Sequence, residues 1–153
     1  MRPNVAVEQF LSHQALAIVG VSRSGKKFGN YALRALRTRG YRVYPIHPTA
    51  DTLEGERCYR HFRDLPEPVT AAVVVVPPVQ AVDVIREAAD AGVRDVWLQQ
   101  GAESDVVLAA CREAGVEPVA GKCILMFAQP TGPHRVHRWL HDIRRRFGTD
   151  TRQ

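Results

Sequence analysis

The sequence predicts an α/β fold: a doubly wound parallel sheet with helices on both faces. Three observations carry this. Short apolar runs alternate with stretches of helical periodicity along most of the 153 residues. Two of these runs, "ALAIVGV" (15–21) and "TAAVVVVPP" (70–78), suit strands buried on both faces. Parallel strands need crossover connections, helices supply them, and right-handed crossovers wind the sheet in both directions from its first strand.

The elements follow in order. Residues 15–21 form the first strand. From about 28 to 39, Ala32, Ala35 and Leu36 make a helical stripe, and Gly40 stands at a C-cap position. "YRVYPIHP" (41–48) is a second strand ended by Pro48, and "ERCYR" (56–60) reads as a short edge strand. Residues 70–78 carry the strongest strand signal, four valines stopped by two prolines. Val82, Ile85 and Ala89 then mark a helix ended by Gly92. "DVWLQQG" (95–101) is another strand, followed by a helix over about 104–114 with Gly115 behind it, and "EPVAG" (117–121) is a last short strand. A terminal helix over roughly 134–147 carries Val136, Leu140, Ile143 and Phe147 on one stripe. The organisation expected is a helical lead-in (1–14), a single sheet domain (15–123) and a basic helical extension (124–153).

Composition narrows the class. Hydrophobic residues make up 45% and charged residues 24%, the ordinary globular range. No apolar run approaches a membrane span, and Glu8, Gln9 and His13 interrupt the N-terminal segment where a signal peptide needs an unbroken apolar core. A soluble cytoplasmic protein is expected. Cys58, Cys111 and Cys123 are widely spaced without a CxxC, which argues against a disulfide framework or a cysteine zinc site. The net charge is +5, unevenly spread. No acid lies between Glu8 and Asp51, whereas Arg23, Lys26, Lys27, Arg34, Arg37, Arg39 and Arg42 do. Arg135, Arg138, Arg144, Arg145 and Arg146 form a second basic group. Such fields favour an anionic partner, and by charge alone nucleic acid and a phosphorylated small molecule both qualify.

Ligands of doubly wound sheets bind beyond the carboxyl ends of the strands, at the switch point. The relevant loops are "GVSRSGKKFGN" (20–30), "IHPTAD" (46–51), "VVPPVQ" (75–80), "QQGAES" (99–104) and "AGKC" (120–123). A loop running into a helix N-terminus offers backbone N–H groups and a favourable dipole to an anion. Here Gly20 permits a tight turn and close approach of a ligand, Ser22 has a hydroxyl to donate, and Gly29 leaves room above the backbone. Lys26 and Lys27 add charge, and Arg23 has a fork for a phosphate. The stretch is neither GxGxxG nor a P-loop ending in GK[ST]. An NAD-type site also wants a carboxylate at the end of the second strand. His47-Pro48 stands there instead, and the first acid is Asp51. The pattern points to a nucleotide with a further phosphate, coenzyme A or NADP.

The stretches "IVGVSRSGKKFGN", "YRVYPIHPTADTLEGERCY", "AAVVVVPP", "AGVRDVWLQQGAES" and "CREAGVEPVAGKC" together resemble the small stand-alone CoA-binding proteins. That family is similar to the CoA-binding domain of the succinyl-CoA synthetase alpha subunit. The resemblance runs from about 15 to 123 and implies a Rossmann-like sheet with coenzyme A across its strand ends. By position it implies that Gly20, Val21, Ser22, Lys26, Lys27, Phe28, Gly29 and Asn30 hold the diphosphate, beside the Arg23 fork. His47 and Pro48 would flank the adenosine. Val76, Pro77 and Pro78 would wall the pantetheine or the adenine, and Gln99, Gln100 and Gly101 would complete the floor. The synthetase carries an acid where Gln100 stands. Its phosphohistidine belongs to a second domain, for which these residues leave no room. The expectation is therefore a protein that binds coenzyme A or an acyl-CoA without catalysis of its own. The alternatives are an NADP-linked oxidoreductase fragment and a subunit of an acyl-CoA ligase. A homodimer or an acyl-CoA enzyme stand as partners.

The remaining chemistry-bearing residues have plainer readings. Cys123 beside Lys122 is either a packed thiol or one that meets the coenzyme thiol. His134, His137 and His141 share a helical face, but Arg138 close to it disfavours a cation, and no metal site is assigned. The arginines at 144–146 suit a helix C-terminus. Without a zinc-finger, RRM or helix-turn-helix signal, nucleic acid is not assigned as a partner. Asp51, Glu54 and Glu56 read as a solvated acidic cluster, and Glu103 as a charge suited to a helix start. No catalytic arrangement emerges.

Overall fold

Residues 3–128 are described by the structure, a computed structural model. Ala6, Val7, Phe10 and Leu11 recur at helical spacing and form the buried side of α1 (Pro3–Leu11). A sharp change of period follows. β1 (Ala15–Val19) has no polar face: Leu16 and Ile18 point into one core layer, Ala15 and Ala17 into the other. α2 (Phe28–Thr38) buries Ala32, Leu33 and Leu36, and the chain leaves it through Gly40 at φ 98°. β2 (Arg42–Ile46) then returns parallel to β1.

The segment 52–57 departs from the sequence reading. Glu54 (φ 54°) and Gly55 (φ 76°) reverse the chain, so β3 (Thr52–Leu53) and β4 (Glu56–Arg57) pair antiparallel as a separate small hairpin. From 56–60, Tyr59 reaches the main sheet, in a parallel bridge to Ile46. Its N–H donates to the Pro45 carbonyl at 3.0 Å, and its carbonyl accepts from His47 N–H at 2.9 Å. β5 (Ala71–Val74), β6 (Asp95–Leu98) and β7 (Glu117–Val119) complete a parallel five-stranded sheet of order β2-β1-β5-β6-β7. β1 passes to β2 on one side, and the later strands build outward on the other. The switch point therefore lies between β1 and β5.

α3 (Pro78–Asp90) starts with a proline at its first turn and runs out through Gly92 at φ 100°. α4 (Asp105–Ala114) is capped by Ser104, whose Oγ accepts from Val107 N–H at 3.2 Å, and ends on left-handed Gly115. One core layer joins α1 and α2 to the sheet through Phe10, Leu33, Leu36, Trp97 and Ile124. The other joins α3 and α4 through Ile85, Val96, Leu98 and Cys111. Each fully buried large side chain contributes about 1.5–3 kcal/mol. At the amino end of β6, buried Asp95 accepts from Gln9 Nε2 and lies 2.7 Å from His13 Nε2, while His13 Nδ1 meets the Thr70 hydroxyl at 3.3 Å. These contacts fasten α1 to the sheet. Among the described residues no helix is long and apolar enough to cross a membrane. The helix expected over 134–147, with its histidines and arginines, lies outside the described residues.

Candidate functional site

The carboxyl ends of β1 and β5 meet at two glycines. Gly20 has φ 115°, and a Cβ there would lie 2.1 Å from the Val75 carbonyl oxygen. A Cβ on Gly29, in the first turn of α2, would lie 2.2 Å from the carbonyl oxygen of Gly20. The space over both glycines is filled by protein backbone. The sequence reading had them leave room for a ligand; in the fold they let two strand ends and a helix close on one another.

The loop between them is folded on itself. Asn30, 1% exposed, accepts from Ser22 N–H at 3.0 Å and donates to the Ser22 carbonyl at 2.7 Å. Ser22 Oγ accepts from Ser24 N–H at 3.1 Å, and Ser24 Oγ accepts from Lys26 N–H at 3.2 Å. Asn30 thus shapes the loop from beneath. Lys26, Lys27 and Phe28 are exposed, and Val21 is buried.

The three helices that start at strand ends differ in what they offer an anion. α4 has its side-chain cap and Asp105 in its first turn. α3 opens on Pro77 and Pro78, which have no N–H. α2 has neither: Lys27 stands at its N-cap with extended backbone and no side-chain hydrogen bond, and no acid lies in its first turn. The amides of Asn30 and Tyr31 both turn to the Lys27 carbonyl. The first-turn amides of Phe28 and Gly29 are left for an outside acceptor.

Of the acidic cluster, Asp51 is solvated as expected, with a 94% exposed side chain, and Glu54 is not. The β3–β4 hairpin folds Glu54 back onto α2, where Oε1 accepts from Asn30 Nδ2 and Arg34, each at 2.9 Å. Those hydrogen bonds, Asn30 first and Arg34 next, hold its carboxyl below the usual carboxylate range. Arg37 pairs with Glu56 at 3.0 Å, and Arg42 pairs with Glu67. The stretch between Glu8 and Asp51 is free of acids in sequence but not in space. Its unbalanced charge at the loop comes down to Arg23, Lys26 and Lys27.

At the end of β2, His47 Nδ1 accepts from Thr49 N–H and Ala50 N–H, and Arg23 Nη2 donates to Thr49 Oγ1 at 2.8 Å. Burial first, then the Arg23 and Arg60 guanidiniums, push the His47 pKa below its ordinary value. Pro48 is exposed beside it. Past β5, Val76 and Pro78 are half-buried, Pro77 is exposed, and Val79 is 83% exposed. Val79 continues this exposed apolar stretch by one residue that the sequence reading left out, although "PPV" is contiguous. Past β6, Gln99 is buried, and its Oε1 accepts from Ile124 N–H at 3.1 Å. Gln100 and left-handed Gly101 are exposed, in a turn closed from Ala102 N–H to the Gln99 carbonyl. Glu103 Oε2 is buried without a hydrogen-bond partner. Cys123 is half-buried, and the Lys122 ammonium lies 5.4 Å from the centre of the Phe127 ring. Among the described residues no group of three His, Cys, Asp or Glu could hold a metal ion.

The site's loops thus divide into lining and support. Lys26, Lys27, Phe28, Pro48, Pro77, Gln100 and Gly101 are exposed, whereas Val21, Gly29, Asn30 and Gln99 hold the frame. Comparison with known proteins gives the family. A family model described as a CoA binding domain matches residues 14–129. The ADP-forming acetate–CoA ligase of Methanocaldococcus jannaschii is 29% identical over 93 residues, 61% of this chain. That match spans 13% of the ligase's own length. Among solved structures, a conserved hypothetical protein from Pyrococcus furiosus is 40% identical with a TM-score of 0.70, over 74% of this chain and 98% of that one. Acetyl-coenzyme A synthetase 1 of Ca. Korarchaeum cryptofilum is 32% identical with a TM-score of 0.65, over 73% of this chain and 26% of that one.

Proposed function

The chain belongs to the CoA-binding domain family, and from that premise we propose that its switch-point crevice holds coenzyme A or an acyl-CoA, with the diphosphate at the open start of α2. The observation that carries this placement is the contrast among the three helices: α2 alone combines a free first turn, no acid and two preceding lysines. The Phe28 and Gly29 amides, the Ser22 hydroxyl, Arg23, Lys26 and Lys27 receive the diphosphate. His47 and Pro48 flank the adenosine. Val76, Pro77, Pro78 and Val79 wall the pantetheine arm, and Gln100 and Gly101 form the floor. Val21, Asn30 and Gln99 are positioning residues. The Ser22 hydroxyl donates to Ser24 Oγ at 3.1 Å. It has no base partner, and the crevice is a binding site without catalysis of its own. Residues 15–123 form the binding unit, with 1–14 and 124–153 flanking it.

Calorimetric titration with coenzyme A, NAD(H) and NADP(H) tests the assignment. Coenzyme A should bind most tightly, and tighter binding of NAD would overturn it. Replacing Lys26 and Lys27 together with Ala should weaken coenzyme A about two- to thirtyfold, the loss of two exposed ion pairs with the diphosphate. A pantetheine fragment without phosphates should be unaffected. Equal losses for both ligands would remove the diphosphate from this loop.

The likeness to acyl-CoA-forming ligases supports a second reading, in which the chain supplies the coenzyme-holding part of a ligase completed by another polypeptide. A tagged chain would then co-purify with that subunit. Recovery of the chain alone, or as a homodimer, still binding coenzyme A, would favour the stand-alone role.

A further inference from the structure

The turn after β2 is held at its carbonyls by Arg60 and at two of its amides by one unprotonated nitrogen. His47 Nδ1 accepts from Thr49 N–H at 3.1 Å and from Ala50 N–H at 2.8 Å. A neutral ring with its proton on Nε2 can do this. An imidazolium cannot, because it carries an N–H at both positions and would turn one of them on two other donors. The groups facing the ring deepen the conflict. Arg23 comes from the loop after β1, and Arg60 from the segment after β4. Arg60 donates to the Thr49 and Ala50 carbonyls and pairs with Asp51 at 2.9 Å. Asp51 is engaged by Arg60 and has a 94% exposed side chain, so it is a poor counter-ion for the ring.

This turn is also joined to the diphosphate loop. Arg23 bonds Thr49 Oγ1, and its neighbour Ser22 is clamped at both its N–H and its carbonyl by Asn30. A shift of residues 47–50 therefore pulls on Arg23. We propose that His47 is a pH-sensitive pin: the neutral ring holds the turn against the diphosphate loop, and protonation releases the turn and loosens the grip on coenzyme A. The inference rests on the reading of the crevice as a coenzyme A site.

The test compares the natural chain with His47→Asn and His47→Ala from about pH 8 to about pH 5.5. The probes are coenzyme A and dephospho-coenzyme A, since the ribose phosphate of the former titrates in the same range as histidine. The natural chain should lose affinity for both on acidification, for dephospho-coenzyme A by up to about tenfold per pH unit, the limit for one linked proton. Asn offers a side-chain oxygen to the same two amides at any pH. The dephospho-coenzyme affinity of His47→Asn, whatever its level, should stay flat. His47→Ala, with no acceptor, should bind weakly and flatly. In the ligand-free protein, Thr49 and Ala50 amides should exchange faster in acid relative to His47→Asn after correction for intrinsic rates. Parallel profiles for the natural chain and His47→Asn would overturn the pin. So would tighter binding by the natural chain in acid, which would make the ring a phosphate-seeking cation. If the natural chain bound no coenzyme A near pH 8, the crevice reading itself would fall, and unchanged exchange at Thr49 and Ala50 would separately refute the pin.

Discussion

Gly29 shows how little freedom a single position can have. A methyl group there would press to 2.2 Å of the Gly20 carbonyl, which is backbone and cannot swing aside. Gly29→Ala should push the first turn of α2 off β1, lowering stability by about 1–3 kcal/mol in urea unfolding and weakening coenzyme A binding with it. The thiols make a second prediction at this scale. Burial pushes Cys111 up to about 11 and raises Cys58 as well. Iodoacetamide should label half-buried Cys123 first in the native chain, with Cys58 and Cys111 following on unfolding, as read by peptide mass spectrometry. The exposed cations of the loop, Arg23, Lys26 and Lys27, were legible as residue types after a first strand, whereas Gly20 and Gly29 pack against backbone. What Asn30 and Gln99 do was not legible, because a polar residue in a motif looks the same whether its partner is a ligand or the backbone beneath. Glu54 was misjudged for a related reason, since its partners Asn30 and Arg34 lie 24 and 20 residues away.

At the scale of elements, α1 is held by chemistry as well as by packing. Asp95 is 5% exposed and receives Gln9 and His13, while Phe10 stands edge-on to Trp97 at 5.4 Å. Asp95→Ala would remove the acceptor of exposed Gln9 and half-buried His13, and should destabilise the fold by about 1–3 kcal/mol in thermal or urea unfolding. Limited proteolysis should then cut first near the N-terminus. An unchanged melting temperature would mean that α1 is held by its apolar side alone. The alternation of strands and helices was plain because each element buries enough apolar residues to impose its period. The β3–β4 hairpin was not, for two-residue strands carry no periodicity, and the reversal at Glu54 puts a non-glycine residue in the left-handed region. The strand runs also read longer than the strands: 70–78 shortened to Ala71–Val74 because its last residues already belong to the crevice and to α3.

At the scale of the whole molecule, the shifted groups set a pH profile. His47 lies below its ordinary 6.5, and Glu54 and Glu67 below 4.5, with Glu67 brought to about 2 by Arg42 and then Tyr44. Each binds fewer protons folded than unfolded, so stability is complete above those ordinary values and drains away as pH falls. The melting temperature should decline first below about 6.5 and again from about 4.5 towards 2. Glu67→Gln should flatten the second limb. Cys111 acts at the other extreme: its raised pKa removes stability between 9 and about 11. A final consequence comes from the flank of β2. Pro45 has no N–H to extend, its oxygen is taken by Tyr59, and the outward N–H of His47 is taken by the same residue. Around Pro45 and His47 an incoming polypeptide finds no free amide to stitch itself to. Whether the domain is crowded in solution or spliced into a larger enzyme, that margin is hemmed against fusion with a neighbour's sheet.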